Sequence, residues 1–284
     1  MSQLLNLDRA WLRAHPLPIP GDGGKEERGS VLVVGGGLEM AGAVLLAGTA
    51  ALRAGAGKLQ LATVAGAVAA LNVAMPEARV FALPETDGRP SAKAAVVLAE
   101  HVAGCDVLLV GPGMMRDGEG VAKALLALAP AQPMVLDAGA LNAVEEAGSR
   151  HGALILTPHA GEMARLLEID KAKVEADPLA AARTAAERFS AVVVMKGASS
   201  HVVAPDGRAL LYAGGGVGLG TSGSGDVLAG LIAGLAARGA ESYQACAWGV
   251  WLHGEAGRRL AKRIGPLGFL AREIATEVPR LMAQ

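Results

Sequence analysis

Residues 214–239 read GGGVGLGTSGSGDVLAGLIAGLAARG. Seven glycines fall between positions 214 and 225, Asp226 follows, and an apolar run over 227–237 predicts a helix. Glycines let backbone amides approach a ligand closely. A helix N-terminus adds unpaired N–H groups and the positive end of the helix dipole. The combination predicts an anion hole suited to phosphate. Asp226 at its mouth has two readings. As a helix cap it would stabilise the helix by about 1 kcal/mol. As a general base it would take the proton of a hydroxyl in phosphoryl transfer. A cap leaves the seven preceding glycines without a reason.

Outward from this stretch the chain alternates. Apolar runs suited to buried strands are VLVVG (31–35), KLQLAT (58–63), DVLLVG (106–111), PMVLDA (133–138), ALILTP (153–158) and AVVVMKG (191–197). Ala-rich stretches long enough for helices lie at 41–54, 91–103, 117–129, 160–168 and 177–189. Strands buried on both faces and joined by helices predict an α/β fold with a mostly parallel sheet. HVVAP, the DGR turn at 206–208 and ALLYA predict a hairpin on the sheet edge. From 224 onward the chain reads as all helical. With Pro16, Pro18, Pro20, Gly21, Gly23 and Gly24, residues 1–29 read as an irregular lead-in to a single domain over 1–284.

The composition excludes other classes. With 284 residues, 26 basic against 27 acidic side chains and 52% hydrophobic residues, the chain is not disordered and carries no electrostatic footprint for nucleic acid or an anionic membrane. Three Trp, two Tyr and three Phe build no base-stacking platform. Their scarcity predicts that any adenine is held by aliphatic side chains and backbone. No stretch is long and apolar enough to span a bilayer, and the N-terminus lacks a secretory pattern. Cys105 and Cys246, far apart and without CxxC, suit a reducing cytoplasm.

Four further segments end strands, where α/β proteins bind ligands. LTPHAGEMARLL (156–167) projects His159 and Glu162; MKGASS (195–200) offers Lys196 and two hydroxyls to a phosphate or ribose; VGPGMM (110–115) leaves backbone open at Gly111 and Gly113; VLDAGALN (135–142) puts Asp137 at a strand end and Asn142 on the turn that follows. His159 and His253 lack a spaced partner set for zinc. Gly57-Lys58 precedes a strand and is no Walker A loop, and Met40 breaks a dinucleotide fingerprint begun at Gly35.

GTSGSGD before a helix is similar to the GxGD signature of ribokinase-like kinases. Together with GGGLEMAGA (35–43), GPG, LDAGALN, LTPHAGE, MKGASS and GVWLHGEAG (249–257), in order over most of the chain, it resembles the ADP/ATP-dependent NAD(P)H-hydrate dehydratases. The resemblance implies a ribokinase-like three-layer sandwich and ADP- or ATP-dependent repair of the (S)-hydrate of NAD(P)H. In that repair the ring hydroxyl is phosphorylated and phosphate is then eliminated. It implies Asp226 as the base. It implies Ala43, Gly113, His159 and Asp226 at the hydrate, and Lys196, Gly197, Ala198, Ser199, Ser200, Gly223, Ser224 and Gly225 at the nucleotide. Glu162 would order Mg²⁺ through water. A homo-oligomer, tetrameric in the family, and a separate NAD(P)H-hydrate epimerase acting beside it are further implications. Ala160, Ser222 and Gly139 depart from the family's usual PHPGE, glycine-rich and DADAL forms. Two other readings are a ribokinase-like kinase of a vitamin-precursor alcohol, of hydroxyethylthiazole or hydroxymethylpyrimidine type, and a nucleotide-sensing module without turnover.

Overall fold

The structure is a computed structural model describing residues 3–19, 21, 24–115, 118–129, 131–148 and 153–283. Its strands are β1 (Leu4–Asn6), β2 (Ser30–Val34), β3 (Lys58–Val64), β4 (Ala78–Leu83), β5 (Glu85–Thr86), β6 (Arg89–Pro90), β7 (Val107–Val110), β8 (Met134–Leu136), β9 (Leu154–Leu156), β10 (Val192–Met195), β11 (Ser200–Val203) and β12 (Ala209–Tyr212). Its helices are α1 (Arg9–Ala14), α2 (Gly42–Arg53), α3 (Ala65–Ala74), α4 (Ala94–Val102), α5 (Gly118–Leu128), α6 (Ala160–Leu167), α7 (Lys171–Ala176), α8 (Pro178–Arg188), α9 (Ser224–Ala237), α10 (Ser242–Arg263) and α11 (Ala271–Met282), with a 3₁₀ stretch over Ala138–Ala147. The expected start of α5 at residue 117 lies outside the described residues.

Ten strands form one sheet in the order β1-β12-β11-β10-β9-β8-β7-β2-β3-β4. Among its described residues only the β10–β11 and β11–β12 pairs are antiparallel; β5 and β6 form a separate antiparallel hairpin. Both faces are covered, as the uninterrupted apolar runs require. Along β2, Val31 and Val33 pack into one core with α2, α9, α10 and α11. Leu32 and Val34 pack into the other with α4, α5, α6 and α8. The same two-residue alternation divides Val107 and Leu109 from Leu108 and Val110 in β7. This is the three-layer sandwich expected. Among the described residues no helix is long and apolar enough to cross a membrane.

The helix after the glycine-rich stretch, α9, is buried along most of its length, and it lies almost backbone to backbone on α2. A Cβ at Gly230 would sit 2.1 Å from the Ala47 carbonyl oxygen, and one at Gly234 would sit 2.4 Å from that of Ala51. The apolar run therefore has no polar face because it has no solvent to meet.

Two expectations are corrected. The lead-in is irregular only in its second half: over residues 4–14 it forms β1 and α1, and β1 pairs in parallel with β12, Leu4 opposite Ala209. Asp8 caps α1 by accepting from the N–H groups of Ala10 and Trp11 at 2.8 and 2.9 Å. Trp248 Nε1 then donates to the His15 carbonyl at 2.8 Å. These partners lie more than 190 residues away in sequence, so local composition, dominated by proline and glycine, hides them. For the same reason the β11–β12 hairpin is not at the edge, since β1 covers it.

Candidate active site

The carboxyl ends of β2, β7, β8, β9 and β10 converge, and each delivers one of the segments singled out above. Gly35–Gly37 leave β2, Gly111–Gly113 leave β7, Asp137 ends β8, Thr157–His159 leave β9 and Lys196 ends β10. His159 and Lys196 are joined by a parallel bridge. The amino end of α9 points into the same region.

Gly223, not Asp226, is the N-cap of α9, at φ +84°, and no side chain caps this helix. Only glycine takes that conformation without strain, and a Cβ there would also meet Leu46 Cδ1 at 2.4 Å. The first-turn amides are thus left open to an anion. Asp226 is the third helical residue and makes no capping bond, so the capping reading is set aside. Burial foremost, and the charge of Asp137, push its carboxyl up to about 7, against the pull of Lys196 and a hydrogen bond from the Gly113 backbone.

Lys196 Nζ donates to Asp137 Oδ1 at 2.9 Å and lies 3.8 Å from Glu162 Oε2. Thr157 Oγ1 donates to the same Asp137 oxygen at 2.7 Å. Burial works against the ammonium, but Asp137, Glu162 and Asp226 outweigh it and hold its pKa above the ordinary value. His159 and Glu162 form a capping box at α6. His159 Nδ1 accepts from the N–H groups of Gly161 and Glu162, and Glu162 Oε2 accepts from His159 N–H at 2.8 Å. Glu162 is buried while the His159 side chain is 55% exposed. Behind the glycine loop, His253 Nε2 lies 2.9 Å from Ser224 Oγ and 3.1 Å from the Ser224 carbonyl oxygen, to which it donates. Burial foremost lowers this imidazole to about 4, so it is neutral.

Two cavities adjoin the neighbours of Asp226, which itself lines neither. The larger, about 700 Å³, is lined by His159, Lys196, Gly197, Ala198, Ser200, Ser224 and Gly225, with Val217, Leu219, Leu228 and Val250 as its aliphatic wall. Tyr212 adds one ring, laid against Gly214 and Gly254 and donating to Glu255 Oε1 at 3.0 Å. The smaller, about 190 Å³, is lined by Gly36, Gly37, Gly113 and Met114 and closed by the β5–β6 hairpin. Gly113, which bonds Asp226, faces the smaller cavity, and Gly225, its neighbour in sequence, faces the larger. A carboxylate near neutrality between an anion hole and a second chamber can accept a proton from a hydroxyl held in one while a phosphoryl group is presented from the other.

A model of the NAD(P)H-hydrate dehydratase family matches residues 31–280. The chain belongs to the NAD(P)H-hydrate dehydratase family. An ADP-dependent (S)-NAD(P)H-hydrate dehydratase from Xanthomonas campestris pv. campestris is 51% identical over 274 residues, which cover 96% of this chain and 94% of that protein. A bifunctional NAD(P)H-hydrate repair enzyme from Moorella thermoacetica is 40% identical over 97% of this chain, which spans 53% of that relative's length. The crystal structure of the ADP/ATP-dependent NAD(P)H-hydrate dehydratase from Bacillus subtilis, co-crystallised with ATP/Mg²⁺, superposes with a TM-score of 0.85 at 27% identity, covering 100% of this chain and 99% of that one.

Within this dehydratase fold the expected site residues fall into place unevenly. Lys196, Gly197, Ala198, Ser200, Ser224 and Gly225 share the larger cavity, and so does His159, expected on the hydrate's side. Gly113 alone of the hydrate set lines the smaller one; Ala43 is buried beneath it, where a Cβ on Gly113 would meet Ala43 Cβ at 2.7 Å. Ser199 and Gly223 lie in the turns on either side and line neither of these two cavities. Asp137 was the omission: its place at a strand end was legible, but its bond to Lys196 was not. The departure at Gly139 has a steric reason, since a Cβ there would lie 1.6 Å from the Met115 carbonyl oxygen.

Proposed function

We propose that this chain catalyses the ADP-dependent dehydration of the (S)-hydrate of NAD(P)H. The observation that carries the reading is the buried Asp226 carboxylate, bonded to Gly113 of the smaller cavity and next in the chain to Gly225 of the larger, where burial pushes it up to about 7. The nucleotide occupies the larger cavity, its transferring phosphoryl group against the amides of Gly223 to Gly225 and its far end against Lys196 to Ser200. The hydrated ring occupies the smaller cavity beside Gly113. Asp226 removes the proton of the ring hydroxyl as its oxygen attacks the terminal phosphorus of ADP and the bond to AMP breaks. The ring nitrogen then expels the phosphate, a proton leaves the neighbouring ring carbon, and the double bond is restored. One ADP becomes AMP and inorganic phosphate for each NAD(P)H repaired.

Among the described residues no three acidic, histidine or cysteine side chains gather to hold a metal, so Mg²⁺, a hard cation that keeps several of its waters, would meet this site through water and the phosphates. Glu162 already holds one backbone N–H and faces Lys196, so it suits contact through water better than direct ligation. When bound, the ion would neutralise charge on the phosphates. Lys196, fixed by Asp137, supplies a standing positive charge beside them.

The test is recovery of the reduced-nicotinamide absorbance from hydrated NADH with ADP, with phosphate and AMP released in equal amounts. No recovery with either ADP or ATP overturns the reading, and a stable phosphorylated alcohol would mark an ordinary kinase instead.

A further inference from the structure

Asp137, Thr157 and Lys196 stand at the carboxyl ends of three adjacent strands, β8, β9 and β10. On each strand the residue two places earlier, Val135, Ile155 or Val194, packs into the core shared with α9. Side chains alternate along a strand, so the three polar residues face that same layer, in which α9 begins and Asp226 lies. β9 is the middle strand, and Leu136 pairs with Leu156, which sets Thr157 opposite Asp137. Lys196 therefore reaches across β9 to meet Asp137, and Thr157 lies at the crossing. The threonine is fully buried and lines neither cavity. A valine would fill the same space with no polar atom to satisfy; what threonine adds is one proton. Its Oγ1 lies 2.7 Å from Asp137 Oδ1 and 3.2 Å from the Leu136 carbonyl oxygen. One proton serves one acceptor, and the shorter contact to a charged oxygen takes it.

Asp137 Oδ1 thus receives two hydrogen bonds, from Thr157 and, at 2.9 Å, from Lys196 Nζ. The Asp137 side chain makes no capping bond to the 3₁₀ stretch that follows it, so these two donors decide how the carboxylate is turned. Lys196 has other partners within reach. Its ammonium carries three donors on a flexible stem, lies 3.8 Å from Glu162 Oε2, and acts on Asp226 through its charge. The charges that act on Asp226 are those of Asp137 and Lys196, and the Gly113 N–H is its hydrogen-bond donor. Resting on the function proposed above, we infer that Thr157 is a positioning residue, whose hydroxyl holds the Asp137 carboxylate turned towards Lys196 and so keeps the ammonium from pairing with Asp226. Without that bond the carboxylate turns about its soft Cβ–Cγ torsion. Lys196 then takes Asp226 as a partner, and the base is blunted although no residue in contact with substrate has changed.

Thr157→Val keeps the shape and drops the donor, whereas Thr157→Ser keeps the donor. The titration of the Asp226 carboxyl is followed by NMR of protein carrying isotope-labelled aspartate, with Asp226→Asn identifying its resonance, alongside the pH profile of kcat/KM. In Thr157→Val the midpoint should fall by about one pH unit or more, and kcat on the plateau by about 10-fold. Thr157→Ser should stay close to the wild type in both. A threonine with a purely structural role would lower the melting temperature of Thr157→Val and leave the midpoint where it is, and that result overturns the inference. So does Thr157→Ser behaving like Thr157→Val. Thr157→Ala loses the same donor and carries the same expectation should the valine variant not fold. With Asp137→Asn already in place, Thr157→Val should move the midpoint no further; an additional shift overturns the inference as well. Failure of the parent reading looks different: the wild type would then leave hydrated NADH unrepaired, while the Asp226 midpoint would still respond to Thr157.

Discussion

The ammonium of Lys196 is held by Asp137, with Nζ 2.9 Å from Oδ1, and Asp226 feels it only as a neighbouring charge. The pairing matters because a direct Lys196–Asp226 bond would draw the Asp226 carboxyl down and blunt it as a base. Asp137 thus does two things at once: it occupies the cation, and its own charge raises Asp226.

Asp226→Asn removes the proton acceptor and keeps the shape. Turnover should fall by about 10²–10⁴-fold, while ADP binding, followed by calorimetry, should persist. The same variant should be more stable than the wild type at pH 8, by about 1–3 kcal/mol. The Asp226 carboxyl is raised from 3.8 to about 7 in the folded protein. Stability tied to its proton is therefore complete below pH ~4 and lost as pH rises through ~7. Thermal melts of the two proteins should converge in acid and separate towards pH 8.

Activity needs Asp226 ionised, so kcat/KM should fall on the acid side of about pH 7 with the slope of one proton. Asp137→Asn removes the anion that raises Asp226 and releases Lys196 towards it. The acid limb should move to lower pH and the plateau should drop. An unmoved limb would show that Asp137 has no hold on the base.

His253→Gln tests the support behind the glycine loop. Losing the bond to Ser224 should raise KM for ADP by about 10-fold, with a smaller effect on KM for the hydrate. The neutral imidazole, lowered from 6.5 to about 4, contributes stability that is full above pH ~6.5 and lost as pH falls through ~4. The variant's melting temperature should therefore decline less than the wild type's over that interval.

Gly230→Val forces a side chain into the Ala47 carbonyl at the contact between α2 and α9. The strain should cost about 3 kcal/mol or more, because neither helix can withdraw from a close-packed layer. A far-ultraviolet melt showing an unchanged transition would contradict this packing.

The strand-to-helix alternation was legible because its signals are local: buried strands read as short apolar runs, and α9 declared itself by being apolar on every side. The phosphate-facing loop was legible through its glycines. Pairings across the chain were not. β4 escaped notice because, one strand from nothing at the sheet's edge, it is half exposed and carries Arg79 among its apolar residues. The 3₁₀ stretch after Asp137 looked like a turn, since glycine and small residues dominate its start. In the site, the residue types were readable one by one, but which carboxylate holds Lys196 depends on three strand ends meeting, and no spacing encodes that.

The N-terminal strand carries a consequence for synthesis. β1 is made long before its partner β12, which ends at Tyr212, and the side chain that grips the His15 carbonyl, Trp248, comes later still. Because domains form as the chain emerges from the ribosome, this first segment waits, unpaired, until nearly the whole protein exists. Until it docks, β12 is the open edge on that side of the sheet, a row of unpaired backbone groups exposed while the helices from α9 onward are still being made.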